Sequence, residues 1–197
     1  MRFDPERHHR RSIRLSEYDY AGPGAYFVTL VTHGHECLFG EVCDGQVLLS
    51  KWGGIVHEEW VMSEGIRREI VLDAFVVMPN HLHGIVVIKD EGMTGINVGA
   101  TGRSPLPANG PGKRSLGTFI AGFKSAATKR INIDRHLPGV PVWQRNYFKH
   151  IIRDETSLGR IREYIVNNPK QWELDQENPL RLAFRPARVH QGEAGGA

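Results

Sequence analysis

Two histidines stand one residue apart in VVMPNHLHGIVVI, residues 76–88. His81 and His83 flank Leu82, and the apolar, β-branched segments on either side read as strands. Side chains at i and i+2 of a strand share a face, so if Leu82 points into a core, both imidazoles point out of it together. Such a pair can chelate a divalent cation. It equally suits two surface histidines at a strand edge, and His-x-His alone does not choose between the two. No Asp or Glu lies beside the pair in sequence to add a ligand. Further groups come from REYIVNNPKQW, residues 162–172, where Tyr164 and Asn168 are four apart and so share a helix face, beside the apolar Ile161 and Ile165. A phenol and an amide turned to the sheet would complete a site with the imidazoles. A tyrosine at a core rim and an asparagine ending a helix before Pro169 account for the same residues structurally.

The elements that would position these groups follow from local pattern. A strand is expected over 25–32, after the Gly-Pro-Gly turn. A hairpin is expected in GEVCDGQVLLS, because Asp44-Gly45 supplies the positive φ of a tight turn. Ser50 can N-cap a helix over 51–63, although Gly53-Gly54 weakens it. EIVLDAFVVM and HGIVVI read as successive strands, and the Gly- and Pro-rich 89–113 as a long mobile loop. A helix over 115–132 carries the stripe Leu116, Phe119, Ile120, Phe123, Ala127 and Ile131. A strand over 146–152 precedes a last helix that Asp154 caps and Pro169 stops. The order implies an α+β, ferredoxin-like (RRM-like) βαββαβ antiparallel sheet with helices on one face, plus a C-terminal helix carrying Tyr164. The expected organisation is a basic arm over 1–20, one domain over 21–175 and a polar tail over 176–197.

Bulk properties bound the function. At 197 residues, 40% hydrophobic and 24% charged, the chain is in the globular class. It holds no apolar run near the ~20 residues of a membrane span, and its charged first residues lack the apolar core of a secretory signal. A soluble, non-exported, cytoplasmic protein is expected, with Cys37 and Cys43 as reduced structural thiols. The net charge is +3, and ERHHRRSIR, residues 6–14, concentrates four arginines. Arg10, Arg11 and Arg14 there, with Lys124, Lys129 and Arg130 on the polar side of the 115–132 helix, are candidate phosphate contacts. Trp143 and Tyr147 suit base stacking or the core rim.

The ordered set RRSIRL, GAYFVTLVTHGHECLFGEV, LDAFVVMPNHLHGIVVI, LGTFIAGFKSAATKRIN and VWQRNYFKHIIRDETSLGRIREYIVNNPKQW resembles the REP-associated tyrosine transposases, within the HUH endonuclease superfamily. The likeness spans about residues 10–172. It implies that Tyr164 is the nucleophile, attacking a scissile phosphate of single-stranded DNA to leave a 5′-phosphotyrosine and a free 3′-hydroxyl. It implies His81, His83 and Asn168 as ligands of Mg²⁺ or Mn²⁺. Imidazole softness alone would favour zinc or nickel, and an oxygen-rich phosphoryl-transfer shell favours the harder ions. His150 recurs in the family pattern and is a candidate for the surroundings of the site. Asn80 and Pro79 shape the turn into the histidines. The implied substrate is a palindromic REP hairpin with flanking guide bases, and the implied working unit is a monomer rather than a dimer. Two other readings remain open: a non-catalytic hairpin DNA- or RNA-binding ferredoxin-like protein, and a metal hydrolase using activated water, for which the sequence shows no nearby glutamate base.

Overall fold

In a computed structural model, residues 23–89 and 115–183 are described. The arm with Arg10, Arg11 and Arg14, nearly all of the 89–113 segment and the end of the tail lie outside the described residues. The first strand, β1 (Gly24–Val31), is followed by a 3-10 turn at His33–His35 and by the hairpin β2 (Gly40–Cys43) and β3 (Gln46–Leu49). Asp44 and Gly45, at φ 51° and 69°, make the tight turn. Helix α1 (Lys51–Ile66) starts where the Ser50 hydroxyl accepts from the Gly53 N–H. Gly53 is needed rather than merely tolerated, since a Cβ there would collide with the Phe39 carbonyl oxygen.

Strands β4 (Ile70–Val77) and β5 (His81–Ile88) form the next hairpin, and α2 (Leu116–Asp134) starts at its Ser115 cap. Strand β6 (Phe148–Ile152) leads into α3 (Glu155–Asn167), capped by Asp154. Pro169 does not end the helical path. A 3-10 segment, Asn168–Leu174, continues it before the short α4 (Pro179–Ala183).

The main sheet has the order β4-β5-β1-β6, every neighbour antiparallel. With α1 and α2 as its crossovers this is the ferredoxin-like plan, and β2–β3 form a separate two-stranded sheet. Alternation along the strands divides the side chains between two faces. Tyr26, Val28, Leu30, Leu82 and Val86 pack with Val56 and Trp60 of α1 and with Phe119, Ile120 and Phe123 of α2. Phe27, Ile85 and Ile152 face the other way, against Leu158, Ile161 and Ile165 of α3. Gly84 belongs to the first face. A Cβ there would lie 2.6 Å from Trp60 Cζ2, so the indole packs directly on the strand. Among the described residues no helix is long and apolar enough to cross a membrane.

Candidate active site

Leu82 is buried between the sheet and the first two helices, so His81 and His83 project to the opposite face, where α3 and the 3-10 segment cover them. Both are buried, with ring centroids 4.4 Å apart. Asn80 sets the tautomer of His81. Its Nδ2 donates to the carbonyls of Glu177, at 2.7 Å, and His35, at 3.2 Å. Its Oδ1 therefore faces His81 Nδ1, 2.9 Å away, and accepts that N–H. His81 Nε2 is left with a bare lone pair. It is buried and finds no hydrogen-bond partner. Burial and the neighbouring His83 hold the His81 imidazole well below its ordinary range, against the opposite pull of Asp175 and Asn168, so the ring is neutral at pH 7.

Asp175 follows the 3-10 segment and is 7% exposed. Burial pushes its carboxyl up, but the neighbouring His83 and His81 imidazoles, the Asn168 amide and the Glu177 N–H together hold it below the usual carboxylate range. Its Oδ2 accepts from Asn168 Nδ2 at 2.9 Å and lies 4.0 Å from His83 Nε2. Donating from Nδ2 leaves Asn168 Oδ1 as a second buried acceptor with no partner. One atom from each of His81, His83 and Asp175 lies within 4.8 Å of the others. Two buried acceptors without donors, beside a carboxylate and a second imidazole, fit a divalent cation held by nitrogen and oxygen. The same set would leave costly unpaired acceptors in its absence.

Tyr164 borders this cluster. Its hydroxyl is 3.2 Å from His83 Nε2, its ring is edge-on to Phe27 at 6.0 Å, and it is 42% exposed. Burial, then the charges of Asp175 and Glu177, push the phenol up to about 12. His83 Nδ1 is 2.9 Å from the Thr29 hydroxyl, which fixes the ring plane. On its far side α3 is clamped to β4 by Arg162, whose Nε and Nη2 reach the two carboxylate oxygens of Asp73 at 3.0 and 2.5 Å. Asp73 lies where β4 slips its register against β5, between Leu72 and Phe75.

The structure thus brings together His81, His83, Tyr164, Asn168 and Asn80. His150 is exposed on β6, opposite Phe27 in register, without a hydrogen bond to the cluster. Helix α2 lies on the other face of the sheet, so Lys124, Lys129 and Arg130 stand away from the tyrosine. Lys124 Nζ donates to the carbonyls of Gln144 and Asn146, at 2.8 and 3.0 Å, and burial lowers it to about 8. Arg130 pairs with Glu58 and Glu59, and Lys129 is exposed. Trp143 is buried in the main core and Tyr147 packs against it, which assigns both to the core rim rather than to stacking.

The sequence, with no acid beside the histidines, does not point to the one that joins them in space. Asp175 is brought to them by the chain folding back after Pro169, and Glu177 and Asn178, sequence neighbours expected in the tail, are hydrogen-bonded beside it. The only hint in sequence is its place, seven residues beyond Asn168.

No family model matches the chain. A protein of Haemophilus influenzae described only as uncharacterized is 41% identical over 170 residues, covering 86% of this chain and 93% of that one. Among solved structures, a REP-associated tyrosine transposase bound to a REP hairpin is similar with a TM-score of 0.53 and 16% identity, covering 93% of this chain and 98% of the other. At that identity the likeness is one of fold. A candidate transposase from Deinococcus radiodurans, at a TM-score of 0.38 and 18% identity over 76% of this chain and 94% of that one, is too distant to add to it.

Proposed function

We propose that this chain, which belongs to one family with the Haemophilus influenzae protein and has the fold of a REP-associated tyrosine transposase, is a metal-dependent nuclease and strand transferase acting on single-stranded DNA beside palindromic hairpins. One observation carries the reading: a half-exposed phenol stands 3.2 Å from an imidazole that belongs to a buried cluster of unsatisfied nitrogen and oxygen acceptors. In the proposed step the Tyr164 oxygen attacks phosphorus and the bond from phosphorus to the 3′-oxygen breaks. A 5′-phosphotyrosine and a 3′-hydroxyl result, and the phenol proton ends on the leaving oxygen. One phosphodiester replaces another, so the energy needed for rejoining is kept.

With its pKa pushed up to about 12, the phenol is almost wholly protonated at neutral pH. Proton removal must therefore accompany attack. His83 Nε2 lies 3.2 Å away, but its single lone pair is taken when it holds the cation, so with metal bound the proton passes through a phosphate oxygen or solvent on its way to the leaving oxygen. His81, His83, Asp175 and Asn168 Oδ1 would hold the cation, with Asn80 fixing the His81 tautomer. When bound, Mg²⁺ or Mn²⁺ polarises the phosphate oxygens and offsets the charge that builds up on them. Tyr164 meets the histidines of its own chain, which supports a monomer acting in cis.

The test is a labelled single-stranded oligonucleotide carrying a palindromic hairpin, mixed with protein and Mn²⁺ and run on a denaturing gel. A protein-linked band that needs metal, and that is lost in Tyr164→Phe and His81→Ala, is expected. Mixing those two variants should not restore it if each chain acts alone. Asp175 favours a second reading, since it is the acidic group that hydrolysis by activated water requires. Cleavage that survives Tyr164→Phe without any linked band would establish that reading instead. Binding without cleavage in every metal would leave a hairpin-binding protein.

A further inference from the structure

The sheet face that carries the histidines is only half covered. Helix α3 is held toward β4 by the Arg162–Asp73 clamp, while Tyr164 leaves the opposite side of the helix toward β1. Beyond Phe27 the start of β6 lies open, while Ile152 at its end is buried with Leu158 and Ile161 of α3. On β6, which pairs with β1 alone and so ends the sheet, Phe148 is 52% exposed and His150 is exposed beside it. Phe148 is opposite Thr29, and Thr29 is opposite His83. The three share one row, which puts Phe148 two strand spacings, ~10 Å, from the histidine. The Phe27 ring bridges the gap, 6.2 Å from Phe148 and 6.0 Å from Tyr164, so the exposed ring is held edge-on rather than left loose.

Arg153 follows β6, and Arg160 stands one turn before Tyr164 on the same side of α3. Both are exposed and form no ion pair among the described residues. Arg145, which precedes β6, instead lines a hollow with Lys124 and Lys129 of α2. The acids beside the strip are Glu155 and Glu163, both exposed, and Asp154, whose carboxylate caps α3 through Ser157 and feels the charge of Arg160.

We propose that the β6 strip seats the single strand next to the scissile phosphate, one base stacking on Phe148 while Arg153 and Arg160 take its phosphates. The proposal rests on the strand-transfer reading and supplies its approach path. The β4 side is closed by α3, and the end of the sheet at His81 is closed by the 3-10 segment, whose Trp172 lies 6.0 Å from the His81 ring. That leaves β6 as the open side from which a strand reaches the Tyr164 hydroxyl. An exposed ring held edge-on beside Phe27 and Tyr164, with Arg153 and Arg160 free of ion pairs nearby, suits an unpaired base with its backbone. A duplex keeps its base faces occupied and has none to lay on the ring.

The experiment measures binding of fluorescein-labelled oligothymidine, and of a duplex of the same length, to full-length protein carrying Tyr164→Phe and freed of metal. Phe148→Ala should cost about ten-fold in single-strand affinity and little on the duplex. Phe148→Trp should keep the affinity and show quenching of its added indole emission on binding. Leu48→Ala, equally exposed at 52% but on the separate hairpin, should bind as its parent does. Unchanged single-strand affinity in Phe148→Ala, an indole that ignores the oligonucleotide, or a parent that binds no single strand would each overturn the proposal. Because no cleavage is scored, the two readings fail separately. A Phe148-dependent affinity with no linked band in any metal sinks strand transfer and leaves the strip standing. A linked band with Phe148→Ala at parental affinity does the reverse.

Discussion

The two faces of the sheet are built by the same strands and follow opposite rules. On β5, Leu82, Gly84 and Val86 meet α1 and α2 in a packed apolar interior where a single added carbon would strike Trp60. One residue out of phase, His81 and His83 meet α3 across imidazoles, an amide and a carboxylate, with two acceptors left unpaired. The first face is closed by packing, with only the indole nitrogens of Trp60 and Trp143 left without partners, whereas the second ends in bare acceptors that a cation would complete. Period-two alternation lets one strand hold the fold and the chemistry at once, and neighbouring positions should therefore answer mutation in different currencies.

The largest contrast is expected between Leu82 and His81. Leu82→Ala opens a cavity in the packed face and should cost about 2–5 kcal/mol in urea unfolding, with or without metal. His81→Ala should leave the metal-free midpoint nearly unchanged and abolish the rise in Tm that Mn²⁺ brings to the parent. Equal losses in both variants, insensitive to metal, would end the comparison. Next come the groups that orient ligands. Asn80→Ala removes the acceptor that selects the His81 tautomer and should weaken Mn²⁺ binding roughly 10–100-fold by calorimetry. Asp175→Asn, which keeps the shape and loses the charge, should weaken it at least as much.

Gly84→Ala tests the tight face. Its Cβ has to displace an indole, and a loss of roughly 1–3 kcal/mol is expected without any change in metal affinity. The smallest effect is on pH. The folded imidazole of His81 resists protonation, so below the unfolded value near 6.5 the unfolded chain binds the extra proton. Stability of the metal-free protein should then fall with pH, by about 1 kcal/mol from this residue at pH 5.5. His81→Gln should flatten that slope. Asp175, held low, adds its own loss only further down, through the carboxylate range.

Much of this was legible because it is local. Alternation around Leu82 predicts the shared face of the histidines, the four-residue spacing predicts that Tyr164 and Asn168 meet, and Ser50, Asp154 and Asp44-Gly45 mark their caps and turn in type and position. What was hidden depends on distant chain. Asp175 lies past a proline that reads as a stop, and only the 3-10 path after Asn168 returns it to β5. Phe148 sits in an ordinary apolar strand, and its exposure follows from where α3 is clamped. Lys124 and Arg130 read as free cations because periodicity shows the polar side of a helix, not the carbonyls and glutamates waiting beside it.

The placement of Tyr164, Asn168 and Asp175 after the last strand has a consequence for a chain still being made. By the time β6 has left the ribosome, the four strands, both crossover helices and both histidines are present. Tyr164, Asn168 and Asp175 are not. Because Asn80 hydrogen-bonds the Glu177 carbonyl, the imidazole beside it gains its full set of neighbours only once residue 177 arrives. On the proposed reading the protein is in this way synthesised disarmed, and the last part of the fold to form is the part that would let it cut.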